Sequence, residues 1–372
     1  MYKKFFMGIA AMAALTLVSC SSDDLNSLSD NSSKNEAISF DGYLGRSAVA
    51  VNGTRGSVVD IPALIGKDKG FGVFGYYNNS SATDQSFNAN LFNNQEVIGE
   101  TSTETGQKVT KWTYTPVRYW PTDGHVDFLA YAPYDTKTAL KKTTDASGAA
   151  SKNTSCIDFE VASTIADQKD LLWANAENKT KDNLTENKVK FQFGHALSRL
   201  GYTVKLNKTV PADEATITLK RIALAGSANE DAKAFYTKAT IDLSKTTGLW
   251  SDYATGRQNF EWLSKSHIVT TGTTAIHPNE DRAENEDYLF VIPQKFKTGS
   301  DHLYVIVEYT IEYKSGTAKP TVSYKVSQQL PYDFEQGKAY KINLTIGLNP
   351  IEFNADVTAW GNASDYDIDS WE

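Results

Sequence analysis

Residues Tyr340 to Trp360 constrain this chain more than any other stretch. Tyr340, Ile342, Leu344, Ile346 and Leu348 alternate with polar residues, and so do Ile351, Phe353, Ala355 and Val357. That period of two is the mark of a half-buried strand and excludes an amphipathic helix. Asn349-Pro350 interrupts the alternation as a turn or a change of sheet would. A strand of this kind offers apolar knobs on one face and backbone donors and acceptors on its edges. It can complete its own sandwich or, by strand addition, another molecule's.

Further strands are read upstream in Phe71–Tyr76, Ile157–Val161, Val189–Phe193, Tyr202–Leu206, Ile217–Ile222 and Leu303–Tyr313. Val126–Tyr134 is nearly continuous in apolar residues. Trp112–Pro121 reads as a strand with a proline inside it, an edge or a bulge. Asp135–Thr154 is polar and reads as a loop, and Asn175–Asn187 as a break between domains. Many strands separated by turn signals predict an all-β chain of two tandem sandwiches, over 37–187 and 188–372. Aromatics make up 12% of the chain, which suits strands better than helices.

The N-terminus is of another kind. Lys3 and Lys4 precede an apolar run, Phe5–Val18, too short to span a bilayer as a helix. Leu17-Val18-Ser19-Cys20 follows and looks like a bacterial lipobox. Residues 1–19 are therefore expected to be a lipoprotein signal peptide, with Cys20 acylated and the chain anchored to a membrane from outside the cytoplasm. Each buried CH₂ of an acyl chain contributes roughly 0.8 kcal/mol, so several chains hold firmly. Residues 20–36, rich in Ser, Asn and Asp, read as a flexible tether. Ser21-Ser22-Asp23-Asp24 is similar to acidic signals that send lipoproteins to the cell surface in Bacteroidetes. Beyond them, Arg55 in Asn52–Ser57, and second to it Arg46 in Leu44–Ser47, sit among small residues that proteases reach.

Composition closes off several functions. The net charge of −8 disfavours nucleic acid as a partner. With Cys20 committed, Cys156 stands alone, and no intramolecular disulfide is expected. Gly70–Gly75 spells G-x-G-x-x-G, but Tyr76–Ser81 cannot start the helix a dinucleotide loop requires. Those glycines are expected instead to admit aromatic neighbours across the strand. The five histidines lack metal-ligand spacing, and His195 is expected to be a packed residue. Asn279–Asp287 reads as a solvated acidic loop, and Asp365–Asp369 as a charged tail that lacks the glycine of a calcium loop. No metal, cofactor or catalytic residue can be nominated, so no enzyme is expected.

Taken in order, the lipobox at Cys20, Thr54-Arg55-Gly56, Phe71–Phe74, WTYTPVRYWP with Phe128–Tyr134, FQFGHALSRLGYTVKL, and GKAYKINLTIGLNPIEFNADVTAW resemble the fimbrillins. These are the fimbrial subunit lipoproteins of Bacteroidetes. The resemblance implies two transthyretin-like β-sandwiches, carriage to the outer membrane and exposure at the cell surface. It also implies cleavage by an Arg-specific protease, at Arg55 or Arg46, behind the first strand region. Assembly with other fimbrial subunits, head to tail, would follow by strand exchange, with Tyr340, Ile342, Leu344, Ile346, Leu348, Ile351, Phe353 and Val357 in the donor region 340–360. The polar tail 361–372 departs from that pattern and leaves a stalk or a tip position open. The alternative is a monomeric surface lipoprotein that binds host or matrix glycan or protein through exposed aromatic residues.

Overall fold

The computed structural model describes residues 36–44, 64–65, 69–79, 87–104, 107–144, 150–206, 211, 213–263, 266–269, 288–346 and 352–359. The first strands are β1 (Phe40–Leu44), β2 (Phe71–Asn78), β3 (Phe92–Glu104), β4 (Gln107–Thr113), β5 (His125–Ala132), β6 (Leu140–Thr144), β7 (Ala150–Glu160) and β8 (Leu172–Lys179). Then come β9 (Val189–His195), β10 (Ser198–Leu206), β11 (Ala215–Ala225), β12 (Phe235–Tyr236), β13 (Lys238–Asp242), β14 (Trp250–Ser251), β15 (Arg257–Gln258) and β16 (Phe260–Leu263). The last are β17 (His267–Val269), β18 (Leu289–Val291), β19 (Gln294–Lys295), β20 (Tyr304–Tyr313), β21 (Thr321–Gln329), β22 (Asp333–Phe334), β23 (Lys338–Ile346) and β24 (Glu352–Ala359). Apart from short 3₁₀ turns the described chain is all-β, as the alternation predicts.

A seven-stranded sheet in the order β1-β9-β8-β5-β2-β3-β4 organises the first half. One face carries an aromatic core that includes Phe40, Phe71, Phe92, Phe128, Phe191 and Phe193. The other face of β2 and β5 turns Phe74, Leu129 and Tyr131 into a second core. Those two strands are buried on both faces, which is why they read as apolar runs rather than strict alternation. The glycines of the G-x-G-x-x-G stretch serve this packing. A Cβ on Gly72 would lie 2.3 Å from the Tyr131 ring, and one on Gly75 would lie 2.6 Å from the Phe92 ring.

In the second half, the sheet β18-β10-β23-β24 faces the sheet β16-β11-β20-β21 across a shared core. The Tyr202 ring of β10 meets the Trp262 ring of β16 at 4.6 Å across it.

Sheet membership crosses the boundary expected after residue 187. Val189–His195, expected to open the second sandwich, is β9 and pairs with β1 and β8 in the first sheet. Asp135–Thr154, expected to be a loop, contains β6 and the start of β7. β7 pairs with β13, from Lys238↔Glu160 to Asp242↔Cys156, so a strand before residue 187 and one after it share a sheet. Both were hidden for the same reason. Register between distant segments is set by tertiary packing and leaves little local trace. The strand expected through Pro116 ends at Thr113, before the proline, which has no N–H to offer a ladder.

Candidate functional site

The site is built around the segment 36–44, which is held from two sides. Before β1, Ile38 N donates to Arg118 O at 2.9 Å, and Trp120 N donates to Glu36 O at 2.9 Å. The Tyr114 hydroxyl donates to Ile38 O at 2.7 Å; its burial pushes the phenol upward from its ordinary value. Val189 N donates to Ser39 O at 2.8 Å, and from there β1 runs parallel to β9, with Phe40 beside Val189 and Leu44 beside Phe193. β1 is the edge strand of its sheet.

Side chains of this segment follow the pleat. Ile38, Phe40 and Gly42 are buried, while Tyr43 is exposed. The Phe40 ring sits 5.3–5.7 Å, centroid to centroid, from Tyr114, Phe92, Phe128 and Phe191. Burying Ile38 and Phe40 stabilises the segment by about 1.5–3 kcal/mol each. Without the segment, an aromatic groove would stand open along the backbone edge of β9. The next described residue after Leu44 is Leu64. Arg46 and Arg55 fall between them in sequence, outside the described residues, so a cut at either would sever β1 from everything downstream.

The C-terminal pair divides sharply. β23 lies between β10, with which it runs parallel, and β24, with which it is antiparallel. Tyr340, Ile342, Leu344 and Ile346 are all buried in the molecule's own core. The Tyr340 hydroxyl donates to Asp333 O at 2.9 Å and accepts from Glu335 N at 2.8 Å. Burial pushes this phenol up to about 12. Among the described residues β24 has β23 as its one neighbour in the sheet, and Val357 is 48% exposed. Phe353 stands opposite Leu344, and Ala355 opposite Ile342. Cys20, Leu348, Ile351 and the segments Asn279–Asp287 and 361–372 lie outside the described residues. Sequence reasoning thus placed a strand region ahead of the two arginines but did not name the residues that line its groove. Its lining comes from β3, β5, β9 and the Tyr114 loop, up to about 150 residues away, and no local pattern links them.

His195 is packed as expected: its Nδ1 lies 2.7 Å from Asp170 Oδ2, and both side chains are buried. Among the described residues, no cluster of three His, Cys, Asp or Glu side chains could hold a metal ion. An open cleft of about 500 Å³ lies beside β7, lined by Tyr134, Phe159, Asp158, Glu160 and Lys238 among others.

A sequence profile described as fimbrillin-like matches residues 54–360. The chain belongs to the fimbrillin-like family. A solved structure shares its fold. A fimbrial protein from Bacteroides vulgatus ATCC 8482 aligns with a TM-score of 0.65 at 21% identity, over 88% of this chain and all of that one. A fimbrilin from Porphyromonas gingivalis W83 aligns at 0.41 and 11% identity, over 88% and 98% of the two chains. For a fimbrial assembly protein from Parabacteroides distasonis ATCC 8503 the values are 0.38 and 9%, over 78% and 90%. No curated protein matches the chain. This chain is a structural, non-enzymatic protein of the fimbrillin-like family.

Proposed function

We propose that this protein is a fimbrial subunit, activated by cleavage at Arg55 or Arg46 and polymerised head to tail by strand exchange. It would reach the outer membrane as a lipoprotein acylated on Cys20 and build a surface fimbrium there. One observation carries the reading: β1 is an edge strand whose apolar side chains fill an aromatic groove, and both arginines follow it in sequence. While the chain is intact, β1 is a tethered ligand at high effective concentration. Once cut, it is a short peptide that can diffuse away. An open groove with an unpaired strand edge is then best repaired by another strand. Such addition is heterologous and does not close, so it grows a filament.

Of the C-terminal region, β24 is the part that can be given. β23 has partners on both sides and fills its own core with four side chains. The donor role expected for Tyr340, Ile342, Leu344 and Ile346 therefore becomes a supporting one: they hold the platform from which β24 leaves.

Treating the soluble chain with an Arg-specific protease tests this. The expected result is a new N-terminus at Gly56 or Ser47, loss of the β1 peptide and growth of end-to-end oligomers. Cleaved protein that remains monomeric at high concentration overturns the reading. The cleft beside β7 favours a second role, in which Tyr134 stacks a sugar ring and Asp158 and Glu160 accept its hydroxyls. Glycan-array binding by the uncleaved monomer would support it.

A further inference from the structure

A short pattern, Ile, any residue, Phe, Asp or Asn, then a small residue, occurs twice in the chain. Residues 38–42 read Ile-Ser-Phe-Asp-Gly, and residues 351–355 read Ile-Glu-Phe-Asn-Ala. The first lies in the excisable segment and the second leads into β24, in the same N-to-C direction. Both therefore put apolar residues at the same parity, with Asp41 and Asn354, nearly equal in shape, between them.

We propose that β24 of one copy, in taking the place of β1 in the next as the reading above requires, settles in a single register, with Phe353 at the Phe40 position and Ala355 at the Gly42 position. This rests on the strand-exchange reading above and specifies the partner, a second copy of this chain, and its alignment. Steric fit at Gly42 selects the register. A Cβ there would lie 3.2 Å from Phe193 Cε2 and 3.5 Å from Phe71 Cε1, so a methyl enters if the rings yield by a few tenths of an ångström, and a larger group does not. A slip of one residue would turn Glu352 and Asn354 into the aromatic groove. A slip of two in one direction brings Phe353 to the Gly42 position. In the other it brings Val357 there and leaves only Ala355 to fill the space of the Phe40 ring. The proposed register alone fills the large site with a ring and the small site with a methyl.

The same alignment supplies a driving force. Val357, 48% exposed at home, moves to the Leu44 position beside Phe193. Among the described residues, what β24 surrenders is its one ladder, to β23. On the outer face Asn354 exchanges its home neighbour Asn343 for Lys190, which lies beside Asp41 before cleavage.

Cysteine cross-linking reads the register directly. In the full-length soluble chain carrying Cys20→Ser and Cys156→Ser, the pair Asn354→Cys and Lys190→Cys is compared with the pair Asn354→Cys and Gln192→Cys, two residues out of register. After Arg-specific cleavage the first pair should give a ladder of intermolecular disulfides, and the second about tenfold less or none. Oligomers that cross-link through position 192, or not through 190, overturn the register while strand exchange stands. Cleaved protein that forms no oligomers overturns both. A steric arm checks the small site: Ala355→Leu should slow polymerisation about tenfold or more, and Ala355→Gly should leave it intact. Thermal unfolding of the uncleaved variants confirms that each is folded at home, and wild-type polymerisation by folded Ala355→Leu would overturn the proposal.

Discussion

β23 and β24 are neighbours with the same alternating pattern and opposite situations. β23 is flanked on both edges and hides Tyr340, Ile342, Leu344 and Ile346. β24 is paired on one edge and leaves Val357 half in solvent. Alternation says only that one face of a strand is apolar. It does not say whether that face is sealed, or how many ladders must break for the strand to leave. The difference assigns the first strand to stability and leaves the second available for exchange.

Truncating β23 should break the subunit. Leu344→Ala removes a side chain 1% exposed and should cost about 2–5 kcal/mol in denaturant unfolding, with the spread set by how far the cavity collapses. A loss below 1 kcal/mol would show that β23 is as loosely held as its neighbour.

A smaller effect is expected at Tyr340. Tyr340→Phe leaves Glu335 N and Asp333 O without the hydroxyl and should cost about 1–2 kcal/mol. The pH dependence sharpens the assignment. Tyr340 titrates near 12 in the folded protein, above the ordinary value of about 10, so the folded state holds this proton more tightly. Its contribution is constant below about pH 10 and is lost as pH rises from there through 12. The Phe variant should flatten part of that alkaline decline. Tyr131, also pushed up to about 12 by burial, should keep its own share.

The smallest effect belongs to β24. Val357→Ser should shift the stability of the uncleaved monomer by no more than about 0.5 kcal/mol, since nearly half of the side chain is already wet. The same change should slow oligomer growth after cleavage. A large loss in the monomer instead would erase the distinction between the two strands.

Much of this was legible in the residues. Val189–Phe193 and Tyr340–Ile346 announce themselves as strands because each has one sealed and one wetter face. Val126–Ala132 was found by its apolar run, although only packing shows that both of its faces are covered. β21 escaped because it is an edge strand without a fully buried residue, so Thr321–Gln329 has no apolar stripe to read. The lining of the groove escaped for a topological reason. Phe40, Phe92, Phe128 and Phe191 are ordinary aromatic residues until β1 is laid parallel to a strand that begins at Val189. The run of strands and turns supplied the expectation of two linked sandwiches, and the fimbrillin resemblance repeated it, but neither indicated that β7 would reach across to β13.

That reach has a mechanical consequence. The rungs from Lys238↔Glu160 to Asp242↔Cys156 clasp the early and late parts of the chain side by side. When the two extremities are dragged in opposite directions, the clasp is loaded together with both cores, so the molecule should resist as one link instead of unravelling as two beads on a string. A tether exposed to flowing liquid gains toughness from such a rivet at no cost in length.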